Sequence, residues 1–156
     1  MIKVLFVCLG NICRSPTAHG TFRKLVKDNK LEKFIFVDSA GTAPYHVGKS
    51  PDSRARSTAK SRGIEISDLR ARQVKKADFK EFDYIIPMDK ENLADLMAIC
   101  PEEDRGKIKL FLSFAKDSRF EEVPDPYYGG QAGFELVFDL AQQASEALLE
   151  YIQAHR

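Results

Sequence analysis

The sequence predicts an α/β fold, a small parallel sheet flanked by helices on both faces. Two observations lead to this fold class. Short apolar segments rich in β-formers alternate along the chain with longer segments whose apolar residues recur at helical spacing, which is typical of parallel βαβ units. The first short segment, residues 3–8 (KVLFVC), has the apolar character of a strand buried on both faces. A length of 156 residues fits one domain, and we expect residues 1–156 to form it.

Each element follows from its local pattern. Strands are expected over residues 3–8, 34–39 and 82–88, with 107–110 as a short fourth strand. Helices are expected over residues 16–29 and 52–62, around 93–100, and from about 133 onward. Ser15 and Pro16 form a typical helix start, an N-cap followed by proline at the first helical position. In parallel sheets, ligands bind beyond the carboxyl ends of the strands, so we expect the site at the first strand–helix turn.

Composition and charge exclude several classes of protein. Lys and Arg total 24 and Asp and Glu total 23, giving a formal net charge of +1, which argues against a dedicated nucleic-acid binder. No segment approaches the ~20 apolar residues of a membrane span, and the first apolar run is too short for a signal peptide. Three cysteines indicate no disulfide framework, and the histidines form no metal-spaced cluster. We therefore expect a cytoplasmic protein without cofactor, metal or nucleic-acid partner.

The segment CLGNICRS, residues 8–15, carries the chemistry. A loop this short between strand and helix must curl, so its backbone N–H groups turn inward and form an anion-binding nest beside the helix N-terminus. Gly10 and Asn11 tolerate the unusual backbone angles that such a curl needs. The guanidinium of Arg14 can bind two oxygens of one phosphate. The expected phosphate-binding residues are Leu9, Gly10, Asn11, Ile12, Cys13, Arg14 and Ser15.

Cys8 is the expected nucleophile of this loop. A helix N-terminus and a nearby guanidinium favour the thiolate form of a cysteine, and a thiolate can attack phosphorus to form a phosphocysteine intermediate. Ser15 can donate a hydrogen bond that stabilises the sulfur before attack and as a leaving group. The loop N–H groups and Arg14 supply the positive field, so this chemistry needs no metal. Taken alone, Cys8 could equally be a buried structural cysteine.

A second segment, VPDPYYG over residues 123–129, offers a proton donor. Asp125 lies between two prolines, which stiffen its backbone. An aspartate shielded by aromatic rings can hold a proton near neutral pH, give it to the departing oxygen and later take one from water. Tyr127 and Tyr128 can wall a pocket and stack on an aromatic ester. Taken alone, the segment could be an ordinary surface turn.

These segments together resemble the low-molecular-weight protein tyrosine phosphatase family, and the resemblance covers essentially the whole chain. It is carried, in family order, by CLGNICRSP from residue 8, DSAGT (38–42), HVGKSPDSRA (46–55), RARQV (70–74), FDYIIPMD (82–89) and DPYYG (125–129). The resemblance implies a four-stranded parallel sheet with flanking helices. It also implies a monoesterase acting on phosphotyrosine, with Cys8 as nucleophile, Arg14 as phosphate clamp and Asp125 as general acid.

The resemblance assigns roles to further residues. The expected supports of the loop are Asn11, Ser15 and Ser39, and the expected aromatic walls are Tyr45, Tyr127 and Tyr128. In several relatives the counterparts of the last two tyrosines are themselves phosphorylated. Cys13 matches a loop cysteine that forms a reversible disulfide with the nucleophile and protects it from over-oxidation. The implied partners are tyrosine-phosphorylated proteins, with phosphate and other tetrahedral oxyanions as competing ligands.

One position departs from the family pattern. Many members have a histidine three residues before the arginine of ARQ, bonded to the loop asparagine, and here that position is Leu69, next to Asp68. We therefore expect the support of Asn11 to differ from the family's. His46 is expected near the rim of the pocket.

Two other functions remain open at this level. Arsenate reductases share this fold and loop, but their thioredoxin-coupled members relay oxidation through two further cysteines, and this chain has only Cys100 beyond the loop. A non-catalytic phosphoprotein-binding module would keep Arg14 and the nest but would need neither Cys8 nor Asp125. A nucleotide-binding P-loop is disfavoured because no G-K-[ST] follows a glycine-rich loop.

Overall fold

The central strand of the sheet, β1 (Ile2–Cys8), lies between two parallel neighbours, β2 (Ile35–Gly41) and β3 (Tyr84–Pro87), in the order β2-β1-β3. The structure, a computed structural model, describes residues 1–127 and 129–156. β1 pairs with β2 over its whole length, so that Cys8 lies opposite Gly41 at the carboxyl ends of the two strands. The predicted α/β class and the parallel sheet are confirmed, and two strand ends meet where the site was expected.

The predicted fourth strand is wrong: within the part of the chain that the structure describes, the sheet has three strands. Residues 107–110 make only one isolated parallel bridge, between Ile108 and Ile85, with the Lys109 N–H donating to the Ile85 oxygen at 3.1 Å. Turns of 3-10 helix on both sides, Glu102–Lys107 and Phe111–Ser113, leave too little extended chain between them for a ladder. The segment therefore covers the free edge of β3 without extending the sheet.

Four helices of the described residues follow the predicted pattern with shifted bounds, and one short helix, Asp78–Glu81, was not predicted. In the described residues they are α1 (Arg14–Asp28), α2 (Ser53–Ser61), α3 (Asp78–Glu81), α4 (Lys90–Ile99) and α5 (Gly130–Ala154). Asp52 caps α2 by accepting from the Arg54 N–H, and the chain leaves α2 through Gly63 at φ 73°. The prediction that Ser15 caps α1 is wrong, because the N-cap is Cys13 and no side chain bonds there.

Both faces of the sheet are covered, because alternate side chains of β1 enter different cores. Val4, Phe6 and Cys8 pack in a cluster that includes residues of α1 and α5, whereas Leu5 and Val7 pack in a cluster that includes residues of α3 and α4. All five side chains are at most 3% exposed. This burial on both faces is what the continuous apolar run of the first strand predicted.

Among residues 1–127 and 129–156, no helix combines the length and the apolar character needed to cross a lipid bilayer.

Candidate active site

The loop that joins β1 to α1 is fixed against the end of β2. The Thr42 N–H donates to the Cys8 oxygen at 2.9 Å, and the Ala43 N–H donates to the Leu9 oxygen at 3.0 Å. A Cβ on Gly41 would lie 2.6 Å from the Leu9 oxygen, so this close approach requires glycine. Asn11 supplies the curl of the loop with a left-handed backbone at φ 59°.

The sulfur of Cys8 lies in a polar pocket of its own loop although the residue is only 3% exposed. Its Sγ is 3.0 Å from the Ser15 Oγ and accepts from the Asn11 backbone N–H at 3.3 Å. The Asn11 Nδ2 in turn donates to the Ser15 Oγ at 2.7 Å. The structure thus brings Asn11 and Ser15 next to Cys8, and these bonds explain why the Ser15 hydroxyl does not cap α1.

Arg14 opens α1 and is nearly buried, with 6% of its surface exposed. Its Nη1 donates to the Asp89 Oδ2 at 2.6 Å and to the Val123 oxygen at 3.1 Å. Burial disfavours the charged guanidinium, but the nearby Cys8 sulfur and the Asp89 carboxylate outweigh that effect and raise the pKa of Arg14. The guanidinium therefore stays charged and held in place beside the loop.

Asp89 was missed by the sequence reasoning, although its position carried a signal. The residue ends the segment after β3 and caps α4, where its Oδ1 accepts from the Asn92 N–H at 2.7 Å. An aspartate before a helical pattern predicts an N-cap. Nothing in the local pattern indicates that its second oxygen reaches Arg14, 75 positions away in the sequence.

One cavity of about 160 Å³ gathers the predicted groups. Its wall is formed by residues of the loop, including Cys8, Cys13 and Arg14, and by four side chains from elsewhere in the sequence: Tyr45, His46, Asp125 and Tyr127. The predicted nucleophile, clamp and acid thus line the same space. Such a convergence of a nucleophile, a buried cation and a carboxylate on one concavity is the pattern of a reactive site.

The mouth of this cavity is aromatic. Tyr45 is 73% exposed and Tyr127 is 50% exposed. His46, predicted near the rim, lies on the wall so closely that a Cβ on Gly10 would be 2.9 Å from its Cδ2. The other predicted wall residue, Tyr128, lies outside the described residues.

Asp125 is exposed and is tied to its own loop, since its Oδ1 accepts from the Tyr127 backbone N–H at 3.0 Å. That loop is in turn joined to α2 by Arg54. Its Nη1 donates to the Tyr127 oxygen at 3.3 Å, and its guanidinium lies 5.3 Å from the centre of the Tyr127 ring. Sequence reasoning missed Arg54, which lies on a helix predicted only as polar.

The side chain of Asn11 is held by a backbone group. The Asn11 Oδ1 accepts from the backbone N–H of Arg72 at 3.1 Å. Ser39, expected to support the loop, pairs with α1 through a contact of 2.9 Å between its Oγ and the His19 Nδ1. Burial and the charge of Arg23 lower the pKa of His19 to about 4, so this histidine is neutral at physiological pH.

The sequence matches a known protein family over nearly its whole length. Residues 3–156 match the model of the family described as low molecular weight phosphotyrosine protein phosphatase. The protein of that name from Homo sapiens is 45% identical over 149 residues, which cover 95% of this chain and 94% of the human protein. The low molecular weight protein-tyrosine-phosphatase YfkJ of Bacillus subtilis (strain 168) is 43% identical over 156 residues, covering 100% of this chain and 99% of YfkJ.

A solved structure agrees with these relatives. The protein tyrosine phosphatase from Entamoeba histolytica, crystallised with Hepes in the active site, superposes with a TM-score of 0.96 at 44% identity, and the match covers 99% of this chain and 98% of that one. Motifs, fold and relatives therefore agree that the chain belongs to the low molecular weight phosphotyrosine protein phosphatase family, a family of hydrolases.

Proposed function

We propose that this protein hydrolyses phosphotyrosine and other aryl phosphate monoesters through a phosphocysteine intermediate. The observation that carries the proposal is the single cavity lined by Cys8, Arg14 and Asp125. Its aromatic mouth, with Tyr45 and Tyr127, suits the ring of a phosphotyrosine side chain. The substrates are therefore tyrosine-phosphorylated proteins, and inorganic phosphate and similar oxyanions compete for the cavity.

The first step forms a bond between the Cys8 sulfur and phosphorus while the bond from phosphorus to the phenolic oxygen breaks. Asp125 gives its proton to that oxygen, so the leaving group departs as a neutral phenol. In the second step Asp125 takes a proton from water, the water oxygen bonds to phosphorus, and the sulfur–phosphorus bond breaks. Phosphate leaves and Cys8 returns as a thiolate, which accepts a hydrogen bond from the Ser15 hydroxyl 3.0 Å away.

The phosphoryl oxygens are held by the loop amides and by Arg14. The contacts of Arg14 with Asp89 and Val123 both use Nη1, so a phosphate in the cavity binds the remaining N–H groups of the guanidinium fork. The backbone N–H groups of residues 9–15 add the positive field of a helix N-terminus. These donors are fixed before substrate arrives, which is the arrangement that stabilises charge developing in a transition state.

The alternatives receive less support. A thioredoxin-coupled arsenate reductase needs further cysteines that can exchange with the nucleophile, whereas Cys100 is 5% exposed and packs in the core cluster that contains Leu5 and Val7. A binding module would not require Cys8 and Asp125 to share a cavity with Arg14. Turnover of arsenate coupled to thioredoxin would revive the first alternative.

The proposal is tested by the leaving-group dependence of hydrolysis in the presence of EDTA. We expect the purified protein to cleave both phenyl phosphate and an activated nitrophenyl ester. The substitution Asp125→Ala should slow phenyl phosphate cleavage by about 10²-fold, because a poor leaving group needs the proton, while the activated ester loses little.

Asp117→Ala is the matched control, since this exposed aspartate of the same region does not line the cavity. It should leave both rates unchanged. Equal losses on the two esters in Asp125→Ala would count against the acid role, and absence of hydrolysis of either ester by the parent would overturn the proposed function.

Cys13 lines the same cavity as Cys8, and we propose that it makes oxidation of the site reversible. Burial, together with the charges of Asp52 and Cys8, raises the pKa of the Cys13 thiol to about 12. Cys13 is therefore a neutral thiol, which reacts with peroxide less readily than a thiolate does. Peroxide converts the Cys8 thiolate to a sulfenic acid and hydroxide. The Cys13 thiol then displaces water and forms a disulfide, which two thiol equivalents reduce again.

We therefore expect activity lost to peroxide to return with added thiol in the parent and to return much less in Cys13→Ser. Without Cys13 the sulfenic acid goes on to the irreversible sulfinic acid. Cys100→Ser is the control, because this cysteine packs in the core cluster with Leu5 and Val7, and it should recover like the parent. Equal recovery in all three proteins would contradict the protective role of Cys13.

A further inference from the structure

Behind the loop lies a cluster of charged side chains that the mechanism above does not use. We call it the Arg72 clamp and define it as Asp38, Arg72 and Asp78. The guanidinium of Arg72 contacts Asp38 through Nη2 at 3.0 Å and Asp78 through Nη1 at 3.0 Å. The Asp78 side chain is only 1% exposed. A carboxylate buried this deeply needs its cation and its hydrogen bonds, because burying a charge without them is costly.

The clamp fixes a backbone donor. Asp78 binds Arg72 with both oxygens and accepts from the Lys75 N–H at 2.8 Å, so it holds the chain on both sides of Val74. The Arg72 oxygen accepts from Gly41 at 2.8 Å, which places the segment beside the end of β2. The N–H of Arg72 then points at the Asn11 Oδ1, 3.1 Å away.

That N–H sets the direction of a chain of hydrogen bonds that ends on the nucleophile. A backbone N–H can only donate, so the Asn11 side chain must present its oxygen to Arg72 and its NH₂ group to the Ser15 Oγ, 2.7 Å away. Ser15 thereby accepts one bond and has its single hydroxyl proton left for the Cys8 Sγ at 3.0 Å. A hydrogen bond donated to the sulfur stabilises the negative charge that the sulfur carries when it attacks phosphorus and when it leaves.

We propose that Asp38 and Asp78 are positioning residues for catalysis: by holding Arg72 they orient the Asn11 carboxamide, and through it they direct the hydroxyl of Ser15 to donate to the Cys8 sulfur. The bonds run from the Arg72 N–H through Asn11 and Ser15 to Cys8. The inference rests on the proposed function only for its effect on kcat, since the reactivity of the sulfur is measurable without turnover.

The test is a double-mutant cycle between Asp78→Asn and Ser15→Ala. Two quantities are measured for each variant: the rate at which iodoacetamide alkylates Cys8 at neutral pH, read by mass spectrometry at that residue, and kcat and KM on phenyl phosphate. In the parent background Asp78→Asn should lower the alkylation rate and kcat by about fivefold, with little change in KM. In the Ser15→Ala background the same substitution should change neither, because the link to the sulfur is already missing.

Asp104→Asn is the matched control. This aspartate is also nearly buried and is held by two cations, Lys80 and Lys107. It belongs neither to the Arg72 clamp nor to the residues that line the cavity. It should lower the melting temperature and leave the alkylation rate unchanged. If Asp78→Asn does not fold, Asp38→Asn replaces it in the cycle, since the Asp38 side chain is 33% exposed and tolerates loss of charge better.

Equal effects of the clamp substitution in both backgrounds would overturn the inference, and so would an unchanged alkylation rate in the parent background. If phosphatase activity were absent altogether, the proposed function would fail while the alkylation cycle would still decide whether the clamp acts on Cys8.

Discussion

Replacing Cys8 by serine is expected to lower kcat for aryl phosphate hydrolysis by about 10⁵-fold or more, because the hydroxyl that replaces the sulfur is not ionised at neutral pH and cannot form the phosphocysteine. The cavity should survive the change. Cys8 is 3% exposed and one of many members of its core cluster, and serine keeps the shape of the side chain. The measurement is kcat on phenyl phosphate with a parallel titration of inorganic phosphate.

The binding experiment separates loss of chemistry from loss of the site. The loop amides and Arg14 remain in Cys8→Ser, so inorganic phosphate should bind with nearly the affinity of the parent. Cys100→Ser provides the control for a buried cysteine away from the cavity and should retain full kcat. A Cys8→Ser variant with activity near that of the parent would show that another group attacks phosphorus.

The parts of the site that were predictable from sequence are those that are contiguous in it. Cys8, Arg14 and Ser15 are separated by a few residues, so the geometry of one strand, one loop and one helix start is enough to bring them together. The continuous apolar run of β1 likewise indicated burial on both faces, which the two core clusters confirm. Local patterns carry this information because the strand and helix periods fix where neighbouring side chains point.

The parts that were missed depend on pairs that are distant in sequence. Arg72 reaches Asn11 across 61 positions, Asp89 reaches Arg14 across 75, and Arg54 reaches the Tyr127 oxygen across 73. No periodicity links such positions, since the fold decides which loops meet at the carboxyl edge of the sheet. The fourth strand was wrong for a related reason: a short extended segment becomes a strand only if its neighbour pairs with it over several residues.

At the start of α1, contacts within the candidate site override a local rule. Serine before proline is a typical N-cap, yet the Ser15 hydroxyl contacts the Cys8 sulfur and the Asn11 amide, and Cys13 takes the N-cap position without a side-chain bond. A cap is worth about 1 kcal/mol. That contribution is absent here, where the same hydroxyl contacts the sulfur of the proposed nucleophile, and local sequence rules are expected to fail at such sites.

Arg14→Lys is expected to lower kcat/KM on phenyl phosphate by about 10³-fold although the charge is retained. The guanidinium contacts Asp89 and the Val123 oxygen through Nη1, and under the proposed function its other N–H groups bind phosphate. A lysine ammonium is a single point that cannot satisfy Asp89 and also bind two phosphoryl oxygens in a fixed plane. Lysine is preferred to alanine in this test because it leaves Asp89 with a positive partner.

The comparison that decides this prediction is with Arg56→Lys, an exposed arginine of α2 whose Nε donates to the Pro51 oxygen and which does not line the cavity. That variant should match the parent in kcat/KM and in affinity for inorganic phosphate. In Arg14→Lys both quantities should fall, with kcat falling more than affinity, because the planar fork fits the transition state better than the bound ester. If Arg14→Lys kept kcat within about tenfold of the parent, positive charge alone would account for catalysis, and the bidentate clamp would have to be abandoned.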